Sequence, residues 1–245
     1  MRLPTASRLD LFRSCAGPWY LPLPEKREES SKAAEKGRSL HKFAETGTSQ
    51  SKRGKPTLDE EKVSRALEDL PVWSVISGIP ERECVVRLRP SDGQVSIIGA
   101  SERARPYGDD DREFIWGTAD MVGRVERCGD AGDDSALLVA DLKTGSAAWL
   151  KPPWGTTGSH LDAPLQTLFL AACFNRVLHL PGALVAIVSS ACERAYSRYL
   201  SAGELDDVLL LVSEMVAHPP TKLNPSEHCT FCPVRGVCPC WSTTK

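Results

Sequence analysis

The segment 136–143 ends in an aspartate, one apolar residue and a lysine, a spacing at which two charged side chains can act together. Its apolar start predicts a strand that is covered on both faces. Alternate side chains of a strand point to the same face, so Asp141 and Lys143 share one. The simpler interpretation is a solvated Asp–Lys ion pair at a strand end, which contributes little stability. The spacing alone leaves both interpretations open.

A second carboxylate lies within the preceding apolar segment, 114–126. If this segment is a strand, Asp120 shares a face with Trp116, Thr118 and Val122. Burying a carboxylate there is costly unless the group is paired or binds a cation. Two aspartates on neighbouring strands could share a divalent metal, and hard cations such as Mg²⁺ prefer oxygen ligands.

His41 is the candidate imidazole ligand, and it follows Gly37 by four residues, which places both on one face of a predicted helix. Gly37 removes a side chain where another group could approach closely. A single histidine on a helix is more often an ordinary surface or core residue than a metal ligand. His41 therefore gains weight only together with the two aspartates.

Hydrophobic periodicity and turn residues predict the elements that must position these side chains. The predicted helices are 5–14, 25–45, 58–69, 160–178 and 204–217. The predicted strands are 83–90, 94–100, 114–126, 136–143, 183–190 and 194–200, the first two joined as a hairpin. Prolines after residue 17 are expected to exclude further helix there. The order predicts an α/β (α+β) core.

These motifs occur in an order that resembles the PD-(D/E)XK nuclease superfamily, and more closely its RecB-like branch. The motifs are G-x-x-x-H on a helix, Gly-Thr-Ala-Asp ending at Asp120, Asp-Leu-Lys at 141–143, and a helix that carries Gln166. The resemblance extends from about residue 7 to 190. It implies a restriction-endonuclease-like core, a mixed central sheet flanked by helices, and hydrolysis of phosphodiester bonds.

The resemblance also implies residue roles. His41, Asp120 and Asp141 would bind Mg²⁺ or Mn²⁺, with the backbone carbonyl of Leu142 as an additional ligand. Lys143 would orient or help to activate the attacking water and offset charge on the phosphate, as metal-ion chemistry requires. Gln166 would support the site from its helix. In the family this glutamine begins a Q-x-x-x-Y pattern, but this chain has leucine at position 170 in place of the tyrosine.

Nine cysteines without a secretory signal argue against a disulfide framework. Four of them, at 229, 232, 238 and 240, are concentrated near the C-terminus. Together with Cys15, the spacing Cys229-x₂-Cys232-x₅-Cys238 resembles the iron–sulfur staple of AddB-type helicase–nuclease subunits and of CRISPR-associated RecB-like exonucleases. That resemblance implies a 4Fe–4S cluster bound by those four thiolates, joining the two ends of the chain. A local zinc site remains the alternative, with Cys240 or His228 as its fourth ligand.

The composition is that of an ordinary globular protein, with 41% hydrophobic and 25% charged residues and a formal net charge of −2. With so little net charge, a nucleic-acid partner would require a local basic surface. No apolar run is long enough to span a bilayer, which predicts a cytoplasmic protein without a membrane partner.

The predicted organisation is one nuclease domain, 1–245. Within it we expect a core at 7–200 with a helical insert near 46–75, and a cysteine cluster at 219–245 joined to Cys15. The expected partner is DNA, single-stranded or with free ends, in CRISPR spacer acquisition alongside integrase proteins or in repair. The sequence has no P-loop motif, so unwinding would need a separate helicase. The alternative function is a non-catalytic DNA-binding or assembly protein of the same fold.

Overall fold

The computed structural model describes residues 3–23, 32–49, 51, 54–100, 113–126, 135–145, 164–226, 229 and 232–241. A 3-10 turn, Ala6–Arg8, precedes the helices α1 Leu9–Ser14, α2 Gly17–Tyr20, α3 Lys32–Thr46, α4 Leu58–Glu68, α5 Leu165–Leu178 and α6 Ala202–Ala217. The strands are β1 Trp73–Ser74, β2 Arg82–Arg89, β3 Gln94–Ala100, β4 Ile115–Glu126, β5 Ser135–Lys143, β6 Gly182–Ser189 and β7 Arg194–Ser201.

The strands form one mixed sheet in the order β3-β2-β4-β5-β6-β7, with β1 paired to β4. Strands β5 and β6 are parallel, and the other pairs are antiparallel. A parallel pair needs a crossover connection, and the connection between β5 and β6 contains α5. The predicted mixed sheet flanked by helices, and the hairpin of β2 and β3, are confirmed.

Two apolar layers cover the sheet. Helices α5 and α6 pack on one face, and α3 and α4 pack on the other. Leu137 and Val139 of β5 belong to the first layer, whereas Leu138 and Leu142 belong to the second. Each fully buried leucine or valine contributes roughly 1.5–3 kcal/mol to folding. Strand β5 is therefore fixed from both sides, as its sequence predicts.

Helix boundaries follow local capping chemistry. Thr57 and Glu60 form a reciprocal capping box that begins α4. Ser201 and Glu204 form the same motif at the start of α6. Helix α5 ends at His179, whose φ of 53° is left-handed and stops helical propagation.

Two short elements escaped the sequence analysis. The expectation that prolines exclude helix after residue 17 was wrong, because Pro18 occupies an early position of α2, where its missing N–H costs nothing. The short strand β1 lies where no period-2 pattern is present. The ring of Trp73 in β1 lies directly over Gly123, where a Cβ would collide with it. Contact with the sheet, not local propensity, creates this strand.

The two ends of the described chain lie together. The amide of Ala16 donates to the carbonyl oxygen of Lys222 at 3.0 Å. The side-chain amide of Asn224 donates to the carbonyl oxygen of Ser14 at 3.2 Å. Leu11 also packs against residues of the cysteine-rich segment. The N-terminal helices are therefore joined to the C-terminal segment by ordinary contacts.

Within the described residues, no helix is both long and apolar enough to cross a membrane.

Candidate metal centre and catalytic site

Helix α3 carries His41 to the sheet. Leu40 and Phe43 are buried in the layer between α3 and the strands, which fixes the rotation of the helix. Gly37 faces Thr144, and a Cβ at this glycine would lie 3.1 Å from the Thr144 hydroxyl oxygen. The absence of a side chain at Gly37 therefore lets α3 approach the end of β5 closely.

His41 and Asp120 form the first pair of the site. The His41 Nδ1 atom lies 3.3 Å from the Asp120 Oδ1 atom, and both side chains are partly exposed. The other carboxylate oxygen of Asp120 accepts a hydrogen bond from the Leu142 amide at 2.6 Å. This bond from the neighbouring strand fixes the carboxylate while one oxygen remains directed at the imidazole.

Glu83 is the functional candidate that the sequence analysis missed. One ligand atom from each of His41, Glu83 and Asp120 lies within 4.8 Å of the other two. Among the described residues, this is the one group of three histidine, cysteine or acidic side chains at such spacing. The backbone of Glu83 is left-handed, with φ of 50°. A non-glycine residue in this conformation is strained, and such strain is concentrated at functional sites.

The register between β2 and β4 places Glu83 opposite Asp120. Cys84 pairs with Ala119 and Arg82 pairs with Met121, so Glu83 lies between two paired positions. Beyond Asp120 the alternation changes, and Val122 packs into the α5 layer. The expectation that Val122 shares a face with Asp120 was therefore wrong, because strict alternation assumes a regular strand.

Asp141, Lys143 and Gln166 form the second group. The Lys143 Nζ atom lies 2.6 Å from Asp141 Oδ2 and donates to Gln166 Oε1 at 2.9 Å. The side-chain nitrogen of Gln166 donates to Asp141 Oδ1 at 3.0 Å. The Asp141 residue is 3% exposed, which contradicts the simpler interpretation of a solvated pair. Both carboxylate oxygens of Asp141 are therefore contacted, Oδ1 by Gln166 and Oδ2 by Lys143.

The two groups meet across β4 and β5. The amide of Leu142 points to Asp120, and the amide and carbonyl of one strand residue face the same neighbouring strand. The Leu142 carbonyl therefore faces the Asp120 side, where the sequence analysis expects a ligand. Asp141 lies outside the close group of His41, Glu83 and Asp120, but its charge acts on His41.

The ionisation of both groups is coupled. Burial lowers the pKa of His41, but the hydrogen bond to Asp120 and the charges of Asp120, Asp141 and Glu83 outweigh burial and raise the pKa. Burial raises the pKa of Asp141, Lys143 opposes that rise, and Asp120 adds to it; the net direction is upward. The raised pKa values of the buried Asp141 carboxyl and of His41 beside its acidic neighbours indicate an environment in which a bound cation would be stabilising.

The donor set fits a divalent cation. Carboxylates and a carbonyl suit Mg²⁺ and Mn²⁺, and an imidazole is compatible with Mn²⁺. The hydrogen bond from Leu142 to Asp120, and that from Gln166 to Asp141, would orient the two carboxylates. The arrangement therefore suits a metal ion that activates a water better than covalent catalysis by a side chain.

Leu170, which stands where the resemblance expects tyrosine, has a packing role. It is fully buried, and a Cβ at Gly117 would lie 2.6 Å from its Cδ2 atom. The leucine therefore fills the space over Gly117, on the α5 side of β4. Gln166, one turn earlier, still reaches Asp141 and Lys143.

The cysteines expected to bind a cluster line one cleft between the chain ends. Cys15, Cys229, Cys232 and Cys238 contribute to its wall, and Cys240 does so as well. Amides donate to the Cys15 sulfur from Gly17 at 3.4 Å and from Asn224 at 3.3 Å. The pKa of Cys232 is raised, first by burial and further by the neighbouring sulfurs.

The comparison with protein families agrees with this architecture. A family model described as the PD-(D/E)XK nuclease superfamily matches residues 5–239. No curated protein matches the chain. One solved structure that the chain resembles is titled "Crystal structure of SSO0001". It shares 14% identity and a TM-score of 0.38, over 85% of this chain and 71% of that one.

Proposed function

Since the chain belongs to the PD-(D/E)XK nuclease superfamily, we propose that it is a metal-dependent deoxyribonuclease whose site combines the two groups described above. The observation that carries this proposal is the convergence of His41, Glu83 and Asp120 beside the buried Asp141–Lys143 pair. A purely structural ion pair would not need an imidazole and two further carboxylates next to it.

We assign the ligand roles to His41, Glu83, Asp120 and Asp141, together with the Leu142 carbonyl. When bound, a divalent cation lowers the pKa of a coordinated water and offsets charge on the phosphate. The side chains around Asp141 have a separate task. Lys143 places a positive charge beside the site, where it can contact a water or a phosphate oxygen, and Gln166 restrains both Lys143 and Asp141.

The proposed substrate is DNA, and the proposed mode of action is exonucleolytic cleavage from single-stranded ends. This part rests on the resemblance to RecB-like nucleases, as does a role beside CRISPR integrase proteins, in repair, or with a helicase partner. The open rim of the site is compatible with a flexible strand, because His41 and Asp120 are partly exposed.

We further propose that Cys15, Cys229, Cys232 and Cys238 bind a 4Fe–4S cluster that joins the chain ends. Amide hydrogen bonds to the sulfurs of Cys15 and Cys229 support this proposal, since such bonds tune iron–sulfur clusters.

The cluster proposal is tested on protein purified without oxygen. It should be brown and contain iron and sulfide, because thiolate-to-iron charge transfer absorbs visible light whereas zinc is colourless. Cys15→Ala should remove the colour, and Cys240→Ala should retain it. Colourless protein with one equivalent of zinc, unchanged by Cys15→Ala, would contradict the cluster and leave the nuclease proposal standing.

The nuclease proposal is tested with end-labelled single-stranded DNA in Mg²⁺, Mn²⁺ or Ca²⁺. Cleavage should occur with Mg²⁺ or Mn²⁺ and fail with Ca²⁺, whose looser coordination positions water poorly. Asp141→Ala and Lys143→Ala should each remove cleavage. Asp206→Ala, an exposed acid on α6 that pairs with Arg176, is the matched control and should cleave normally. Cleavage by Asp141→Ala at the wild-type rate would refute the site, and DNA binding without any cleavage would favour an assembly protein.

A further inference from the structure

A row of arginine and aromatic side chains lies on the face of the sheet opposite the α5 layer, outside the site described above. Arg87 and Arg89 of β2 point away from the α5 layer, because Cys84, Val86 and Leu88 between and before them point into it. Arg87 pairs across the sheet with Trp116 of β4. The helix that packs on β2 and β3 is α5, on the other face.

Stacking holds Arg87 in place. Its guanidinium carbon lies 4.2 Å from the centroid of the Phe114 ring and 5.3 Å from that of Trp116. Arg89 stacks on the opposite end of the row, 4.8 Å from Phe114. The two rings pack edge to face at 6.1 Å. Stacking on two rings restricts the rotamers of a long side chain, so less entropy is lost when it binds a ligand.

The row contains positive charge and hydrogen-bond donors that have no acceptor. Arg89 is partly neutralised by Asp92 and Glu113, but Arg87 forms no ion pair with any described residue. The buried Nε atoms of Arg87 and Arg89 and the indole nitrogen of Trp116 lack hydrogen-bond partners in the described chain. Unsatisfied buried donors are costly, which points to an anionic ligand that accepts from them.

The row lies on the same strands as the proposed metal ligands Glu83 and Asp120. Trp116, Thr118 and Asp120 lie on one face of β4, and the four steps along the strand from Trp116 to Asp120 span about 13 Å. Glu83 and Arg87 are separated by the same number of positions on β2. A stacked single strand of DNA advances about 3.4 Å per nucleotide, and an extended one roughly twice that. The distance from Trp116 to Asp120 therefore corresponds to between about two and four nucleotides.

We infer that this row is a binding track for single-stranded DNA, in which Arg87 contacts a phosphate and Trp116 stacks on a base a few nucleotides from the metal group. The inference rests on the proposed nuclease function and states where its DNA substrate binds. A single strand is the occupant because its bases are free to stack on an aromatic ring, whereas duplex bases are not. Trp116 is half-buried.

Equilibrium binding without metal tests the track separately from catalysis. The probe is a fluorescein-labelled oligothymidylate of about ten nucleotides, followed by anisotropy in EDTA over a range of salt concentrations. Arg87→Gln should weaken binding about tenfold and lower the salt slope by about 0.7, the loss of one phosphate contact. Trp116→Leu should weaken binding about tenfold through lost stacking. Arg194→Gln, an exposed arginine on the far edge strand β7, is the matched control and should bind as wild type.

Three outcomes would overturn the inference: Arg87→Gln binding as tightly as Arg194→Gln, a loss that only tracks a fall in Tm, or an equal loss on a blunt duplex. A selective loss on the single strand supports it. The KM for cleavage in Mn²⁺ should rise in step with the Kd. Wild-type protein that binds through Arg87 but never cleaves would instead refute the nuclease proposal and leave the track intact.

Discussion

The left-handed backbone of Glu83 allows its conformational strain to be separated from its proposed ligand role. A non-glycine residue at φ of 50° costs about 1–2 kcal/mol. Glycine removes this cost but loses about 0.4–1 kcal/mol through greater freedom in the unfolded chain. Glu83→Gly should therefore raise the metal-free stability by about 1 kcal/mol, a Tm increase of about 2–4 °C for a domain of this size. Glu83→Gln retains the strain and should leave the metal-free Tm almost unchanged.

The metal response should change in the opposite direction. A cation at about 100 times its Kd stabilises wild-type protein by about 2.7 kcal/mol. Removal of the Glu83 carboxylate should weaken the metal by at least about tenfold, which reduces that stabilisation to about 1.4 kcal/mol at the same concentration. Both Glu83 variants should show this reduced response, although one is more stable than wild type and the other is not.

His179 provides a matched control, because its φ of 53° is nearly the same and it lies at the end of α5. His179→Gly should gain a similar stability and retain the full metal response. The assay is thermal unfolding of wild type and the three variants, with and without Mn²⁺. A full metal response in both Glu83 variants would refute the ligand role. Failure of both glycine variants to gain stability would refute the strain argument.

Three further predictions concern packing and ionisation. Gly117→Ala should lower Tm by about 2–10 °C because its Cβ would press on Leu170, whereas Gly203→Ala, with open space around it, should not lower Tm. The pKa of Asp141 is raised, so the folded protein binds the carboxyl proton more tightly than the unfolded chain does. Metal-free wild type should therefore lose stability as pH rises through that pKa. Asp141→Asn should not show that loss in melts across the pH range. Burial raises the pKa of Cys84 to about 11, so mass spectrometry should find it unalkylated by iodoacetamide in native protein at pH 8.

The motif residues were predictable because each depends on a local pattern. Alternation along β5 is enough to place Asp141 and Lys143 on one face, and helical spacing places Gly37 and His41 together. The structure places Lys143 against Asp141 and His41 against Asp120. The apolar residues next to these charged side chains predict the helix and the strands that carry them. Few other secondary structures are therefore compatible with these segments.

Glu83 could not be found in the same way. Its position depends on the register between β2 and β4 and on a left-handed residue within a strand, and neither leaves a signal in the sequence. The stack of Arg87 on Phe114 and Trp116 depends on the same register. The one available clue was that Glu83 is a charged residue at the start of a predicted strand.

The location of the bound metal tests the account most directly. Crystals soaked in Mn²⁺ and measured near the manganese absorption edge would reveal the ion as an anomalous difference peak. We predict a peak within about 2.0–2.3 Å of ligand atoms from His41 and Asp120, in the group that Glu83 completes. A strong manganese peak elsewhere, with none between these residues at a concentration that supports cleavage, would contradict the proposed centre.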